Sequence, residues 1–233
     1  MKLFRKRPYP PYSVVNPLLW IPALFWYVGA DVIARLRRDY LVMYGVCLYV
    51  GAVGSGKTMG MTERALRLKR RDPRIKIWSN YGFKGVDHIF TDLRELEEVP
   101  SYTIVCLSEA SLFANSRDWA NFPVGAVEML TQNRKYGKTD GGRPPGVLLL
   151  WDVQDPQMVD VNVRRLTNWV VHCSGHFDFG NGPRLMLQRW CRPFDYFERE
   201  DPHKVPVKSW FGYIATDRLR NVYDSWIRLK ADK

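Results

Sequence analysis

Eight residues between Gly51 and Thr58, GAVGSGKT, constrain the fold more than any other part of this sequence. They follow the apolar, strand-like residues 43–50 and precede a helix-like segment that has no glycine or proline after Met61. A strand, a loop of the pattern G-x-x-x-x-G-K-[ST] and a helix form the context in which this motif binds phosphate. Glycines let the backbone N–H groups point at phosphate oxygens, next to the positive end of the helix. The sequence therefore predicts a nucleoside triphosphate site.

The loop also predicts which groups contact the nucleotide. Lys57 is expected to reach the β- and γ-phosphates, and Thr58 is expected to hold Mg²⁺ through its hydroxyl. ATP and Mg²⁺ are the cofactors implied. A glycine turn that fits the pattern by chance is disfavoured by the flanking strand and helix. The predicted nucleotide-binding residues are Gly51, Ala52, Val53, Gly54, Ser55, Gly56, Lys57 and Thr58.

The order of the remaining segments predicts an α/β fold with a mainly parallel central sheet flanked by helices. Strand-like segments are residues 43–50, 75–80, 103–107, 147–151 and 168–173, and helix-like segments are residues 57–70, 91–98 and 122–136. Near the C-terminus, residues 184–190 alternate between polar and apolar, which indicates antiparallel strands added to the sheet. We expect two parts, an N-terminal hydrophobic arm (residues 1–42) and a P-loop ATPase domain (residues 43–233).

Hydrolysis needs a carboxylate near the phosphate site, at the end of a neighbouring strand, and residues 103–107 lead to one. This apolar run continues directly into Ser108 and Glu109. In ATPases that carry an additional strand between the P-loop strand and the strand of the general base, Glu109 would polarise the attacking water. We expect residues 75–78 to form that intervening strand. Ser108 stands where an aspartate usually orders the magnesium-bound water, and its uncharged hydroxyl predicts weakened metal affinity or hydrolysis. The alternative for Glu109 is a helix cap.

Further polar candidates follow other elements. Gln154 comes just after the strand-like residues 147–151, where parallel P-loop sheets place a polar residue near the γ-phosphate. The alternative is a simple amide in a turn. Arg134 and the pair Arg164 and Arg165 are candidates for arginine fingers acting on a neighbouring subunit, or for contacts to a DNA backbone. Ordinary surface arginines are the alternative.

The charge of the chain predicts a polyanionic partner. Its formal net charge is +11 and its isoelectric point is about 9.6, which favours nucleic acid or an anionic membrane face. A basic surface with no dedicated partner is the alternative. With 46% hydrophobic and 25% charged residues, general disorder is excluded. The four cysteines show no metal-ligand spacing, and reduced thiols together with an ATP site predict the cytoplasm.

The N-terminus suggests contact with lipid. Residues 1–13 are basic and proline-rich and are expected to be extended, whereas residues 14–30 are apolar and rich in tryptophan. Basic residues lie on both sides of the apolar run, and Trp, Lys and Arg favour an anionic bilayer surface. We expect an interface-lying or re-entrant anchor. A short spanning helix, or an arm packed on this domain or a neighbouring subunit, are the alternatives.

Taken in order, several motifs resemble those of the zonular occludens toxin-like ATPases, which include the assembly ATPases of filamentous phages within the broader HerA/FtsK-type translocases. The motifs are GAVGSGKT, IWSN, TIVCLSEA, LTQNRKYG, LLLWDVQDPQMVDVNVRRL and NVYDSW, and the resemblance covers about residues 44 to 225. In the family the strand-end motif is commonly Asp-Glu-Ala, from which Ser108-Glu109-Ala110 departs. Members usually carry a membrane segment after the ATPase domain, whereas here the membrane-like stretch precedes it.

The resemblance implies partners and a location. It implies a homo-oligomeric ring, expected to be hexameric, on the cytoplasmic face of the host inner membrane. That ring would use ATP to drive phage DNA through virion assembly and extrusion, together with other phage assembly proteins. Two other classes stay open: an ATP-binding membrane scaffold with weak hydrolysis, and a small-molecule phosphotransferase with Arg143 or Arg164 in a lid. A regulatory GTPase is disfavoured because the chain has no Asn-Lys-x-Asp sequence.

Overall fold

The computed structural model describes residues 20–36, 41, 43–109, 123–136, 146–179, 182–198, 201 and 204–222. The chain divides into two compact units, Met1–Leu41 and Val42–Lys233. The extended arm expected for residues 1–13 lies outside the described residues, and so do Ala110 and Arg143.

The first unit contains one described helix, α1 (Trp20–Leu36), which is 17 residues long. Pro22 lies in its first turn, where a missing backbone N–H leaves no helical bond unmade. Residues 20–30 of the predicted apolar stretch are therefore helical, and the helix continues to Leu36. Within the described parts of the chain, no helix combines the length and the apolar character that crossing a membrane requires.

The second unit is built on an eight-stranded sheet with the order β3-β2-β4-β5-β1-β6-β7-β8. Pairing is parallel from β3 to β6 and antiparallel between β6, β7 and β8. This confirms the predicted α/β fold, with its antiparallel strands near the C-terminus. The strands are β1 (Gly45–Val50), β2 (Lys76–Ser79), β3 (His88–Ile89), β4 (Thr103–Leu107), β5 (Val147–Val153), β6 (Trp169–Asp178), β7 (Pro183–Cys191) and β8 (Val207–Ile214).

Helices connect these strands. The predicted acidic helix over residues 91–98 is a 3₁₀ helix, and it begins with a capping box in which Asp92 and Glu95 bond each other's backbone N–H. The helices of this unit are α2 (Lys57–Arg71), α3 (Val124–Gln132), α4 (Val161–Leu166), α5 (Pro193–Phe197), α6 (Asp217–Arg220) and the 3₁₀ segments Leu93–Glu98 and Pro156–Met158.

The central strands β1, β4 and β5 are buried along their whole length, which explains their continuous apolar sequences. Successive side chains point to opposite faces of the sheet. Leu48 and Trp151 belong to the same buried cluster as Met129 of α3. On the other face Tyr49 lies against α2, because a Cβ added to Gly60 of that helix would be 3.5 Å from its ring. The α2 face is the one that carries the site.

One prediction about strand order is wrong. β1 pairs with β5 and β6, whereas β4 pairs with β2 and β5. The strand between the P-loop strand and residues 103–107 is therefore β5, and residues 76–78 lie in β2 on the far side of β4. Local sequence patterns did not decide this, because parallel crossovers can skip a position in the sheet. The end of β5 thus lies next to the P-loop.

Candidate nucleotide-binding site

The glycine loop follows β1 directly and leads into α2. At Gly51, which has a φ of 149°, an added Cβ would lie 2.7 Å from the carbonyl oxygen of Cys173 and 2.6 Å from Ser55 Oγ. Gly54 has a φ of 78°, but a Cβ there would meet no heavy atom within 4 Å. The loop is therefore held closely at its base and open at its tip. Gly56 caps α2 without any side-chain hydrogen bond to the first turn, which leaves the positive helix end to a ligand.

Lys57 is buried inside the loop, with 8% of its surface exposed. Its Nζ donates hydrogen bonds to the carbonyl oxygens of Gly51, at 2.9 Å, and Ala52, at 3.0 Å. The ammonium charge therefore lies within the backbone cup that the motif predicted. An ammonium group has three donors, so a phosphate oxygen is a suitable third partner.

Thr58 and Ser108, the two predicted metal ligands, lie side by side although they are 50 positions apart. Their hydroxyl oxygens are 3.5 Å from each other. Thr58 Oγ1 donates to Asp152 Oδ2 at 2.6 Å, and Ser108 Oγ donates to the same carboxylate at 3.2 and 3.3 Å. The structure therefore brings the two hydroxyls together around a carboxylate of β5.

Asp152 is the functional residue that the sequence reasoning missed. It is only 2% exposed, and its Oδ1 accepts the backbone N–H of Glu109 at 2.6 Å. Burial raises the pKa of Asp152, while the hydrogen bonds from Thr58 and Glu109 and the charge of Lys57 oppose that rise. The available signal was a carboxylate within the apolar run LLLWDV, since an aspartate is almost never buried without partners.

Glu109, the predicted general base, lies at the end of β4 with its backbone at the site. It has a φ of 55°, which is uncommon for a residue with a side chain, and the residue is exposed. Asn80, which follows β2, fixes this strand end: its Oδ1 accepts the N–H of Ser108 at 2.8 Å, and its Nδ2 donates to the Ser108 carbonyl at 3.0 Å. The strand end is thus held from both sides, by Asn80 and by Asp152.

Gln154 lies near the glycine loop, and its predicted contact with the γ-phosphate stays a prediction. It lines a cavity of about 280 Å³ together with Gly51 and Ala52. Arg164 contacts two of the lining residues: its Nη1 donates to Gln157 Oε1 at 3.0 Å, and its guanidinium lies 5.5 Å from the centre of the Phe197 ring. Arg164 thus supports the cavity without lining it. The other lining residues include His172, Tyr196 and Phe197.

Arg134 does not reach the loop of its own chain. It follows α3, and its guanidinium lies 5.6 Å from the ring centre of Tyr44, which precedes β1. The loop follows the other end of that six-residue strand, about 20 Å away at 3.3 Å per residue. Arg134 thus lies at the opposite end of β1 from the loop of its own subunit. Its role toward a neighbouring subunit or DNA stays a prediction, as does that of Arg165, which is exposed on α4.

The residues present fit a nucleotide with Mg²⁺. Hydroxyl and carboxylate oxygens are the ligands that Mg²⁺ prefers, and in nucleotide sites it takes one or two carboxylates plus phosphate oxygens. The described residues contain no cluster of three or more Asp, Glu, His or Cys side chains that could hold a metal without phosphates. Ser55 Oγ is buried in the loop and has no hydrogen-bond partner among the described residues. A phosphate oxygen would satisfy it.

Comparison with known proteins supports the fold. No protein-family model matches the chain, and no curated protein matches it. The N-terminal domain of zonular occludens toxin from Neisseria meningitidis is similar with a TM-score of 0.50 and 21% identity, over 78% of this chain and 100% of that one. The genome-packaging NTPase B204 of Sulfolobus turreted icosahedral virus 2, in complex with ATP-gammaS, has a TM-score of 0.43 and 11% identity, over 71% and 95%. The flagellar accessory protein FlaH of Methanocaldococcus jannaschii has a TM-score of 0.35 and 8% identity, over 70% and 83%. The first of these matches shows that the chain has a zonular occludens toxin-like P-loop fold.

Proposed function

We propose that this protein is an ATPase that powers DNA translocation during assembly and extrusion of a filamentous phage. It acts as a homo-oligomeric ring on the cytoplasmic face of the host inner membrane, with other phage assembly proteins. One observation carries the ATPase part: the ammonium of Lys57 and the hydroxyl of Thr58 lie in the first turn of α2, directly after the glycine loop and next to a buried carboxylate. This arrangement is suited to binding a magnesium-complexed triphosphate.

Each residue of the site has its own role in the proposed hydrolysis. The amides of the loop and the Lys57 ammonium bind and neutralise the β- and γ-phosphates. Mg²⁺, when bound, supplies positive charge to the β- and γ-phosphate oxygens, and Thr58 and Ser108 would hold it. Glu109 orients and polarises the attacking water, and Gln154 contacts the γ-phosphate from the neighbouring strand. Phosphoryl transfer requires little more than such positioning and charge.

Support for a DNA partner comes from charge and from the resemblance of the motifs. A surplus of 11 positive charges attracts a polyanion and makes its binding dependent on salt. The similar fold of a zonular occludens toxin domain agrees with the motif order across residues 44–225. Phage DNA is the polyanion that this resemblance implies.

Support for membrane association comes from the sequence of α1. Its residues 20–30 carry no charge and include two tryptophans, and arginines follow at Arg35, Arg37 and Arg38. Tryptophan favours the headgroup layer, and arginine is attracted to anionic lipids. A helix that is apolar all round, as residues 20–30 are, requires burial in protein or lipid.

The proposal is tested with the full chain by measuring phosphate release from ATP, with and without single-stranded DNA and anionic liposomes. We expect the wild type to hydrolyse ATP and to respond to DNA, and we expect Lys57→Ala to reduce the rate about 100-fold. Lys204→Ala, a change at an exposed lysine beside Asp201, is the control and should retain the rate. Hydrolysis no faster than that of Lys57→Ala would contradict the ATPase proposal. DNA binding no stronger than that of an acidic protein at low salt would contradict the DNA part.

A second candidate function is an ATP-binding membrane scaffold with weak hydrolysis. The observation that favours it is Ser108, an uncharged residue beside Thr58 where the related motif has an aspartate. Comparison of the wild type with Glu109→Gln distinguishes the two. Equal rates close to background support the scaffold, whereas a large loss in the variant supports the motor. Strict dependence on an added acceptor would instead indicate a phosphotransferase.

A further inference from the structure

The order of the strands places an unexpected carboxylate beside the loop. β5 lies between β4 and β1, so the end of β5 is closer to the glycine loop than the end of β4 is. β4 ends at Leu107 and is followed by Ser108, which has no charge, whereas β5 carries Asp152 at the level of Ser108. Cys106 of β4 pairs with Leu150 of β5, two residues before Ser108 and Asp152 respectively.

The contacts of Asp152 direct it toward the loop. Its Oδ2 accepts the Thr58 hydroxyl at 2.6 Å, and Thr58 is the residue through which the P-loop motif holds Mg²⁺. Its Oδ1 accepts the N–H of Glu109 at 2.6 Å. The carboxylate therefore joins the loop to the strand end that carries the predicted general base.

The hydrogen-bond partners of Asp152 carry no charge, and the nearby charge of Lys57 offsets the effect of burial only in part. The described residues bond it through neutral donors, the hydroxyls of Thr58 and Ser108 and the backbone amide of Glu109. The nearby Lys57 directs its Nζ at the carbonyls of Gly51 and Ala52. A buried carboxylate is costly unless a cation compensates it. A divalent cation next to Thr58 would supply that compensation.

We infer that Asp152 supplies the acidic group for the nucleotide's magnesium ion, in place of the carboxylate that β4 lacks at Ser108. This inference rests on the proposed ATPase function and changes the interpretation of Ser108. The negative charge is present in the site, but it comes from the neighbouring strand. The serine hydroxyl then donates to Asp152 and orients it.

A purely structural role is the competing explanation, and the chain offers a matched control for it. Asp72 is also a buried aspartate, 7% exposed, but its carboxylate is bonded by Arg74 and Tyr102 and is not among the residues of the site. Asp72→Asn removes a buried charge and leaves the nucleotide site intact. If loss of any buried aspartate weakened metal binding through general destabilisation, both variants would do so.

The experiment compares wild type, Asp152→Asn, Ser108→Asp/Asp152→Asn and Asp72→Asn. The first readout is the affinity for a fluorescent ATP analogue in EDTA and in Mg²⁺, and the second is Mn²⁺ binding to the nucleotide complex by electron paramagnetic resonance. We expect Asp152→Asn to weaken Mn²⁺ binding about 10- to 100-fold, the range found when groups supporting a metal site are removed. Its affinity for the analogue in EDTA should stay at the wild-type level. The double variant, which returns the carboxylate to β4, should recover metal binding, and Asp72→Asn should keep it.

Two results would overturn the inference while leaving the ATPase proposal standing. One is unchanged Mn²⁺ affinity in Asp152→Asn, and the other is a double variant that binds Mn²⁺ no better than Asp152→Asn. Failure of the wild type to bind the analogue in either condition would instead overturn the proposed function, and the inference with it. If Asp152→Asn does not fold, the double variant decides: wild-type metal affinity supports the inference, and its loss overturns it.

Discussion

The hydroxyl of Thr58 donates a 2.6 Å hydrogen bond to the carboxylate of Asp152, although the two residues are 94 positions apart in the sequence. The bond joins the first turn of α2 to the end of β5. Because the glycine loop lies between β1 and α2, it also fixes the loop relative to the neighbouring strand. The glycine loop and the Asp152 carboxylate are thereby linked through the Thr58 hydroxyl.

Removal of the Thr58 hydroxyl tests how much this hydrogen bond contributes to the stability of the fold. Thr58→Val keeps the shape of the side chain but takes a donor from a buried carboxylate, so we expect the free energy of unfolding to fall by about 1–3 kcal/mol. Urea unfolding in EDTA measures this without any contribution from metal. Thr131→Val is the matched control, because that hydroxyl bonds only carbonyls of its own exposed helix face, and its cost should stay within about 0.5 kcal/mol. Equal costs for the two variants would contradict the structural importance of the bond.

Two glycines of the loop should respond differently to the same change. Gly54→Ala introduces only the strain of a positive φ, because the added Cβ meets nothing, and we expect a cost of about 1–2 kcal/mol. Gly51→Ala would also place a Cβ 2.7 Å from the carbonyl oxygen of Cys173, which belongs to a strand of the sheet and cannot easily move. We therefore expect Gly51→Ala to lower the free energy of unfolding more than Gly54→Ala. Chemical denaturation of both variants measures the difference, and the reverse order would contradict the close approach of β6 to the loop.

The stability of the domain should depend on pH through Asp72. Hydrogen bonds from Arg74 and from the Tyr102 hydroxyl hold the pKa of Asp72 well below its usual range. A carboxyl whose pKa is lower in the folded state stabilises the fold above its unfolded pKa, about 4, and loses that contribution as the pH falls through its folded pKa. We expect Asp72→Asn to cost about 1–3 kcal/mol at pH 7 and progressively less below pH 4.

Urea unfolding of wild type and Asp72→Asn at pH 7, 5 and 3 measures this dependence. Tyr102→Phe serves as a companion variant, since it keeps the Asp72 charge and removes one of its hydrogen bonds. Its cost should be smaller, about 1 kcal/mol at pH 7. A difference between wild type and Asp72→Asn that stays constant from pH 7 to pH 3 would contradict the lowered pKa.

Local patterns in the sequence were sufficient to predict the central strands, the helix after the phosphate loop and the loop itself, but not the short elements β3, α4, α5 and α6. β4 and β5 are continuous apolar runs because both of their faces are buried, and such runs are visible without knowledge of the fold. The glycine motif could be interpreted by itself, since the strand, the loop and the helix are adjacent in the sequence. These features depend only on residues close together in the chain, and the structure confirms the fold that they predicted.

The order of the strands and the role of Asp152 depend on distant pairs and could not be predicted in the same way. β5 is a longer and more continuous apolar run than β2, but this pattern does not specify which strand lies beside β1, and the prediction of that position for β2 is wrong. The role of Asp152 is not visible in the local sequence, because its partners Thr58 and Ser108 are 94 and 44 positions away. The hydroxyls of Thr58 and Ser108 bond the same carboxylate only because β5 lies between β4 and β1.

The amide side chain of Asn80 should act as a positioning group for the end of β4. It bonds both the N–H and the carbonyl of Ser108, which precedes the predicted general base Glu109. Asn80→Ala removes both bonds and lets Glu109 move, so we expect kcat for ATP hydrolysis to fall at least about tenfold while KM changes little. A misplaced catalytic group reduces the rate of the chemical step more than it reduces substrate binding.

Asn133→Ala is the control, since its amide bonds a carbonyl of α3 at the other end of the sheet, and it should leave kcat unchanged. A general loss of stability would affect both variants, whereas a loss of positioning lowers kcat in Asn80→Ala alone. A rise in KM at constant kcat in that variant would show that Asn80 serves nucleotide binding and not the position of Glu109.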